Sequence, residues 1–203
     1  MQTLQNTVTV LDFINSLTEN KLCELHNGVI VEMAQPSGPH ENVTGFLSGE
    51  VTVEFKLQKL PYFIASKVLV KSSDTSSAYL PDVLILNKPY LINEPLYEKY
   101  STLSQGASIL LVIEVISTNW SDDYALKFEE YSNIGIPEYW IVDYLGLGSK
   151  EFIGYPKQPT ITVCNLENNV YQRTLFRKGD RLQSAIFPSL NLTAQQVFDS
   201  ATL

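Results

Sequence analysis

Apolar residues follow two distinct periods along the chain. Val43, Leu47, Val51 and Phe55 repeat every four residues, with Phe46 beside Leu47, after the punctuation Pro36-Ser37-Gly38-Pro39. That spacing predicts a helix with one buried face. Strand-like runs at 64–70, 80–86, 109–116 and 139–142 predict strands. The third run is apolar almost throughout, so it reads as a central strand covered on both faces. Between the last two runs, Ser121 as N-cap, Asp122 and Asp123 in a first turn, and Gly135 with Pro137 frame a helix whose buried stripe is Tyr124, Phe128 and Tyr131.

Shorter signals fill the ends. Thr9 and Asp12 predict a short helix over 9–17, and Gly28 marks a turn before a strand at 29–31. After Tyr144 the pattern becomes β-rich, with strands expected at 152–155, 161–164 and 170–176 and turns at Asn168-Asn169 and Lys178-Gly179-Asp180. Thr193 with Gln196 predicts the capping box of a last short helix. This order argues for an α/β fold: a mixed central sheet flanked by helices, with an additional β-rich C-terminal segment over about 145–203.

Length and composition narrow the class. The 203 residues, 44% of them hydrophobic, suit one domain over 1–203 with a real core. The formal net charge of −8 excludes a generally basic nucleic-acid coat protein. The first basic residue is Lys21, the apolar run 109–113 is stopped by Glu114, and the two cysteines have no metal or disulfide spacing. Cys23 and Cys164 read as small buried hydrophobes. The expectation is a cytoplasmic protein with no membrane partner.

Glu114 is the residue most out of place. An ionised carboxylate in a central strand costs several kcal/mol unless it is paired or bound to metal. It can instead end its strand facing water, or pair with a structural lysine. Asp82, after Pro81 at the mouth of another core strand, reads alone as an ordinary strand-entry aspartate. If the two strands are neighbours, both carboxylates can converge on one hard cation, an arrangement that suits Mg²⁺. Counting about 100° per residue, Lys127 lies about 60° from the axis of the helix's buried stripe and can lean toward the sheet. Alone it reads as an amphipathic stem with its head in water. Together the three suggest phosphodiester hydrolysis, with a metal activating water and an ammonium stabilising charge on the phosphate.

The segments Leu80-Pro81-Asp82-Val83, Ile113-Glu114-Val115-Ile116-Ser117, Lys127 and Gly135-Ile136-Pro137-Glu138-Tyr139-Trp140-Ile141-Val142-Asp143 occur in an order that resembles the Uma-two family of restriction-endonuclease-like proteins, within the PD-(D/E)XK nuclease superfamily. The likeness runs from about Leu11 to Phe198, and the string ending in Tyr-Trp-Ile-Val-Asp is its most specific part. It implies a restriction-endonuclease-like sheet and a metal-dependent endonuclease acting on DNA. Asp82 and Glu114 would hold Mg²⁺ or Mn²⁺. The superfamily lysine would stand two residues after Glu114, where this chain has Ile116, so the resemblance assigns the charge to Lys127. Glu41 is a further candidate for the metal and His40 for the substrate, both readable also as first-turn helix residues. A homodimer is implied because related nucleases cut two strands with two subunits.

Partners follow from local rather than net charge. Lys56, Lys59, Lys67 and Lys71 fall in a stretch without acids, and all three arginines, Arg173, Arg177 and Arg181, lie close together in the tail. Either group could track a phosphate backbone or be ordinary solvated surface. Tyr139 and Trp140 read as core, Asp143 as a strand end facing a turn, and Trp120 as a packing residue. Two other functions stay open: a nuclease fold that has lost catalysis and serves as a binding or assembly module, and an RNA phosphodiesterase.

Overall fold

The computed structural model describes residues 7–17, 21–74, 76–117 and 120–202, the side chain of Trp120 excepted, so the reading of Trp120 lies outside the described residues. Its strands are β1 Cys23–His26, β2 Val29–Glu32, β3 Tyr62–Ala65, β4 Leu69–Lys71, β5 Ala78–Tyr79, β6 Val83–Asn87, β7 Thr102–Leu103, β8 Ile109–Val115, β9 Glu138–Asp143, β10 Thr160–Glu167 and β11 Val170–Phe176. The helices are α1 Val10–Ser16, α2 Gly38–Leu57, α3 Tyr97–Tyr100, α4 Trp120–Tyr124, α5 Leu126–Ile134, α6 Lys150–Ile153 and α7 Ala194–Asp199.

Two mixed sheets result. The larger has the order β11-β10-β9-β8-β6-β3, and the smaller β2-β1-β5-β4-β7. In the larger sheet only β8 and β9 run parallel. From Leu111 onward, odd-numbered residues of β8 face α2 and α7, where Val43, Leu47, Val51 and Phe55 share a cluster with Ile113 and Val115. Even-numbered residues face α4 and α5, where Val112 and Ile116 meet Tyr124 and Tyr131. The strand is therefore apolar on both faces, as a covered central strand must be.

Several local signals act as their chemistry dictates. Thr9 caps α1 by accepting from the Asp12 N–H at 3.2 Å, and Thr193 with Gln196 forms the capping box of α7. Asn27 and Gly28 take positive φ (50° and 80°) between β1 and β2, and Asn168 and Asn169 do the same between β10 and β11. Two-residue hairpins need such a turn to match strand twist. Gly135, at φ 86°, ends α5.

Four expected elements differ. The run 64–70 is two strands in different sheets, β3 and β4, because Lys67 adopts φ 58° and turns the chain between them. The run 80–86 is strand only from Val83 on (β6), and Leu80, Pro81 and Asp82 connect it to β5 of the smaller sheet. Proline cannot donate to a ladder, so the chain changes sheets there. The expected strand at 152–155 is helix α6, preceded by Ser149 and closed by Gly154 at φ 75°. The helix after Ser121 is broken into α4 and α5 at Ala125, and Ser121 lies inside α4 rather than capping it. The Asp123 carbonyl, which an unbroken helix would offer to the Lys127 N–H, accepts the Tyr139 hydroxyl at 2.9 Å. A side chain entering the ladder is a sufficient cause for the break.

Candidate functional site

β6 and β8 are antiparallel neighbours, with Val83 paired to Ile113. Carried one residue further, this register sets Asp82 across from Glu114 at the end of the ladder. The backbone locks the arrangement: the Val115 N–H donates to Asp82 Oδ2 at 2.7 Å. Ending the sheet with Pro81-Asp82 thus provides an acid that takes over the role of the missing strand partner.

Glu114 is buried, and its Oε1 accepts the Tyr131 hydroxyl at 3.0 Å and lies 3.1 Å from Lys127 Nζ. Lys127, itself buried, also reaches Asp123 Oδ1 at 3.1 Å and Glu24 Oε1 at 3.3 Å. Glu24 comes from β1 in the smaller sheet. Its Oε1 also accepts the N–H of Leu80, two residues before Asp82, at 2.9 Å, and its Oε2 meets His26 Nε2 at 2.7 Å. One ammonium therefore gathers carboxylates from β1, β8 and α4, with Asp82 close by on the same rim.

The electrostatics follow from that imbalance. Burial, partly relieved by Lys127 and reinforced by the charges of Asp82, Asp123 and Glu24, pushes the Glu114 carboxyl well above the usual carboxylate range. Burial raises Asp123 too, against the pull of Lys127. Glu24 moves the other way: burial would raise it, but Lys127, His26 and the Leu80 N–H together hold it below its ordinary value. Burial opposes the Lys127 charge, yet Glu114, Asp123 and Glu24 outweigh it and hold the ammonium protonated well beyond its usual range.

His40 and Glu41 occupy the first turn of α2. His40 Nε2 is 3.0 Å from the Val115 carbonyl and 3.4 Å from Asp82 Oδ2. Burial lowers its basicity, but the Asp82 contact and charge dominate and raise it. Glu41 is exposed and lies 3.5 Å from His40 Nδ1; among the described residues it contacts neither Asp82 nor Glu114. The structure thus joins Glu114 to Lys127, sets Asp82 on the N–H of the residue after Glu114 with His40 beside it, and leaves Glu41 at the margin.

Ile116, where the superfamily lysine would stand, is fully buried in the apolar cluster with Tyr131. A charge there has no route to water, and the ammonium arrives from α5 instead. This arrangement of rim acids around a helix lysine is what the matched family model spans: residues 11–195 match the Uma2 family, described as "Putative restriction endonuclease". The chain belongs to the Uma2 family.

As a Uma2 protein it is also similar in fold to a solved structure, a "putative nuclease belonging to DUF820" from Anabaena variabilis ATCC 29413. The two share 15% identity and a TM-score of 0.72, over 96% of this chain and 99% of that one. No curated protein matches the chain. No helix among the described residues is long and apolar enough to cross a membrane.

Other residues of the Uma2 motif string are structural. Glu138 is buried, accepting from Trp140 Nε1 at 2.6 Å and from the N–H groups of Ala185 and Ile186 at 2.7 and 3.1 Å. Asp143 accepts the N–H groups of Leu147 and Gly148, closing the turn after β9. Tyr139 and Trp140 are core. Arg177 donates to the Ile153 carbonyl, and Arg181 to the Leu190 carbonyl, so both serve the tail's own folding. Arg173 lies over the rings of Phe128 and Phe152. Lys56, Lys59 and Lys67 are exposed and form no ion pair among the described residues.

The acids at the rim supply oxygen donors of the class that hard divalent cations take. Among the described residues no three His, Cys, Asp or Glu side chains form a ready-made cage. Mg²⁺ does not need one: one or two carboxylates suffice, with water and phosphate completing the shell. Every described hydrogen bond and ion pair of Asp82 falls on Oδ2, and every one of Glu114 on Oε1. Each acid thus keeps one oxygen unengaged among the described residues.

Proposed function

We propose that this chain is a metal-dependent endonuclease acting on DNA. The observation that carries the reading is the Lys127 ammonium 3.1 Å from Glu114, with Asp82 anchored on the N–H of the next residue, Val115, at 2.7 Å. Carboxylates outnumber the single buried ammonium, so the rim has a deficit of positive charge that a divalent ion would fill. Asp82 and Glu114 would hold Mg²⁺ or Mn²⁺, which when bound supplies Lewis-acid polarisation of a phosphoryl oxygen and lowers the pKa of water. Lys127 contributes a fixed positive charge where charge builds on the phosphate. His40, beside Asp82, is placed to steady the substrate side. The exposed Lys56, Lys59 and Lys67 offer a sequence-independent phosphate track despite the acidic whole. A homodimer would bring two such rims to the two strands.

One observation favours a second reading. Three carboxylates surround Lys127 within 3.3 Å, the pattern of a closed structural ion cluster, and a nuclease fold kept as a binding module would retain it. Cleavage of supercoiled plasmid in Mg²⁺ and in chelator separates the two. The endonuclease reading expects Mg²⁺-dependent nicking by the wild type that Asp82→Asn and Glu114→Gln abolish. Equal cleavage by Asp82→Asn, or none by the wild type, overturns it.

A further inference from the structure

We infer that Glu24 and Asp123 are positioning residues for the reaction, gripping two of the three N–H donors of Lys127 so that the third is aimed at Glu114 on the ion's side of the rim. The inference rests on the endonuclease reading.

A lysine ammonium has three donors and accepts nothing. Here the oxygens of Glu24, Glu114 and Asp123, at 3.3, 3.1 and 3.1 Å, match those donors in number. Glu114 is the shared partner, because it also receives Tyr131 and is assigned to the ion. Glu24 and Asp123 are not assigned to the ion, and each is itself fixed. Glu24 is held at both oxygens, by the Leu80 N–H and by His26. His26 in turn meets the Tyr79 ring edge-on at 5.2 Å and lies 3.9 Å from Asp122. Asp123 is held through its carbonyl by Tyr139 at the break between α4 and α5.

These fixtures explain two features at once. The smaller sheet delivers Glu24 to the back of the site, and the same residue binds the Leu80 N–H just before Asp82. Asp123 and Lys127, four residues apart, meet across the helix break at 3.1 Å. A flexible lysine that would otherwise sample many rotamers is thereby aimed, which is how positioning groups contribute to rate.

Steady-state plasmid cleavage and Mn²⁺ calorimetry on folded wild type, Glu24→Gln, Glu24→Asp and Asp123→Asn test this. Glu24→Gln and Asp123→Asn should lower kcat about 10²-fold, the scale of a misplaced catalytic group, with KM for DNA and Mn²⁺ affinity retained. Glu24→Asp should retain more turnover than Glu24→Gln, although Gln is the closer match in shape, because charge grips the ammonium. A packing role gives the reverse order and overturns the inference. So does wild-type turnover in Glu24→Gln, or its loss of Mn²⁺ binding, which would make Glu24 an ion ligand. If Glu24→Gln does not fold, Asp123→Asn decides by the same kcat and Mn²⁺ criteria. A wild type that neither binds Mn²⁺ nor cleaves overturns the endonuclease reading and this inference with it, whereas a cleaving wild type with unaffected variants overturns the inference alone.

Discussion

Lys127 Nζ lies 3.1 Å from Glu114 Oε1, although one residue belongs to a helix and the other to the end of an interior strand of the larger sheet. Neither charge could be buried alone. The pair exists because Asp123 and Glu24 complete the ammonium's surroundings while Tyr131 holds the carboxylate.

Removing the ammonium therefore strands several buried acids. Lys127→Met is expected to lose about 3–5 kcal/mol at neutral pH, the usual cost of breaking a buried ionic group from one side. The loss should shrink on acidification. Glu24 has a depressed carboxyl, so the stability it draws from Lys127 is present above the ordinary carboxylate range and disappears as pH falls through its lowered value. Urea unfolding of both proteins across that range checks the trend; a constant difference would contradict it.

Glu114 has the opposite sign. Its carboxyl is raised in the folded protein, so the folded state binds more protons than the unfolded one. Stability is then lost as pH rises from the ordinary carboxylate range toward that raised value. Glu114→Gln removes this contribution. Relative to wild type, the variant should gain stability as pH rises above the ordinary carboxylate range, as read by chemical denaturation. A difference that does not vary with pH would argue against the raised carboxyl.

Much of this site is legible in the sequence, and the reason is local. Glu114 interrupts an apolar run, Asp82 stands at a strand mouth, and Lys127 flanks a helical stripe, so each is marked by its neighbours. Glu24 carries no such mark. It lies in a four-residue strand, and its burial comes from pairing of Leu25 with Ala78 far along the chain. Asp123 resembles any first-turn acid until the break at Ala125 is known. The fold shows the same division. The helix with Val43, Leu47, Val51 and Phe55 is plain from its period, whereas the transfer of the chain between sheets at Lys67 and Pro81 depends on contacts that a strand-like run does not specify. The run at 152–155 was too short for its apolar content to separate strand from helix α6.

The lysine's place on α5 has a consequence for Ile116. Returning a lysine to that position puts an ammonium into the fully buried cluster around Tyr131. Ile116→Lys should cost several kcal/mol and lower the thermal midpoint sharply. A variant that melts with the wild type would show that the core can open there.

The central claim is that Asp82 and Glu114 jointly hold a divalent ion. Isothermal titration of Mn²⁺ into wild type and Asp82→Asn at neutral pH tests it without any assumed substrate. The account predicts saturable binding of one ion per chain by the wild type and its loss in Asp82→Asn. Identical heats for the two proteins, or no binding by a folded wild type, would contradict it.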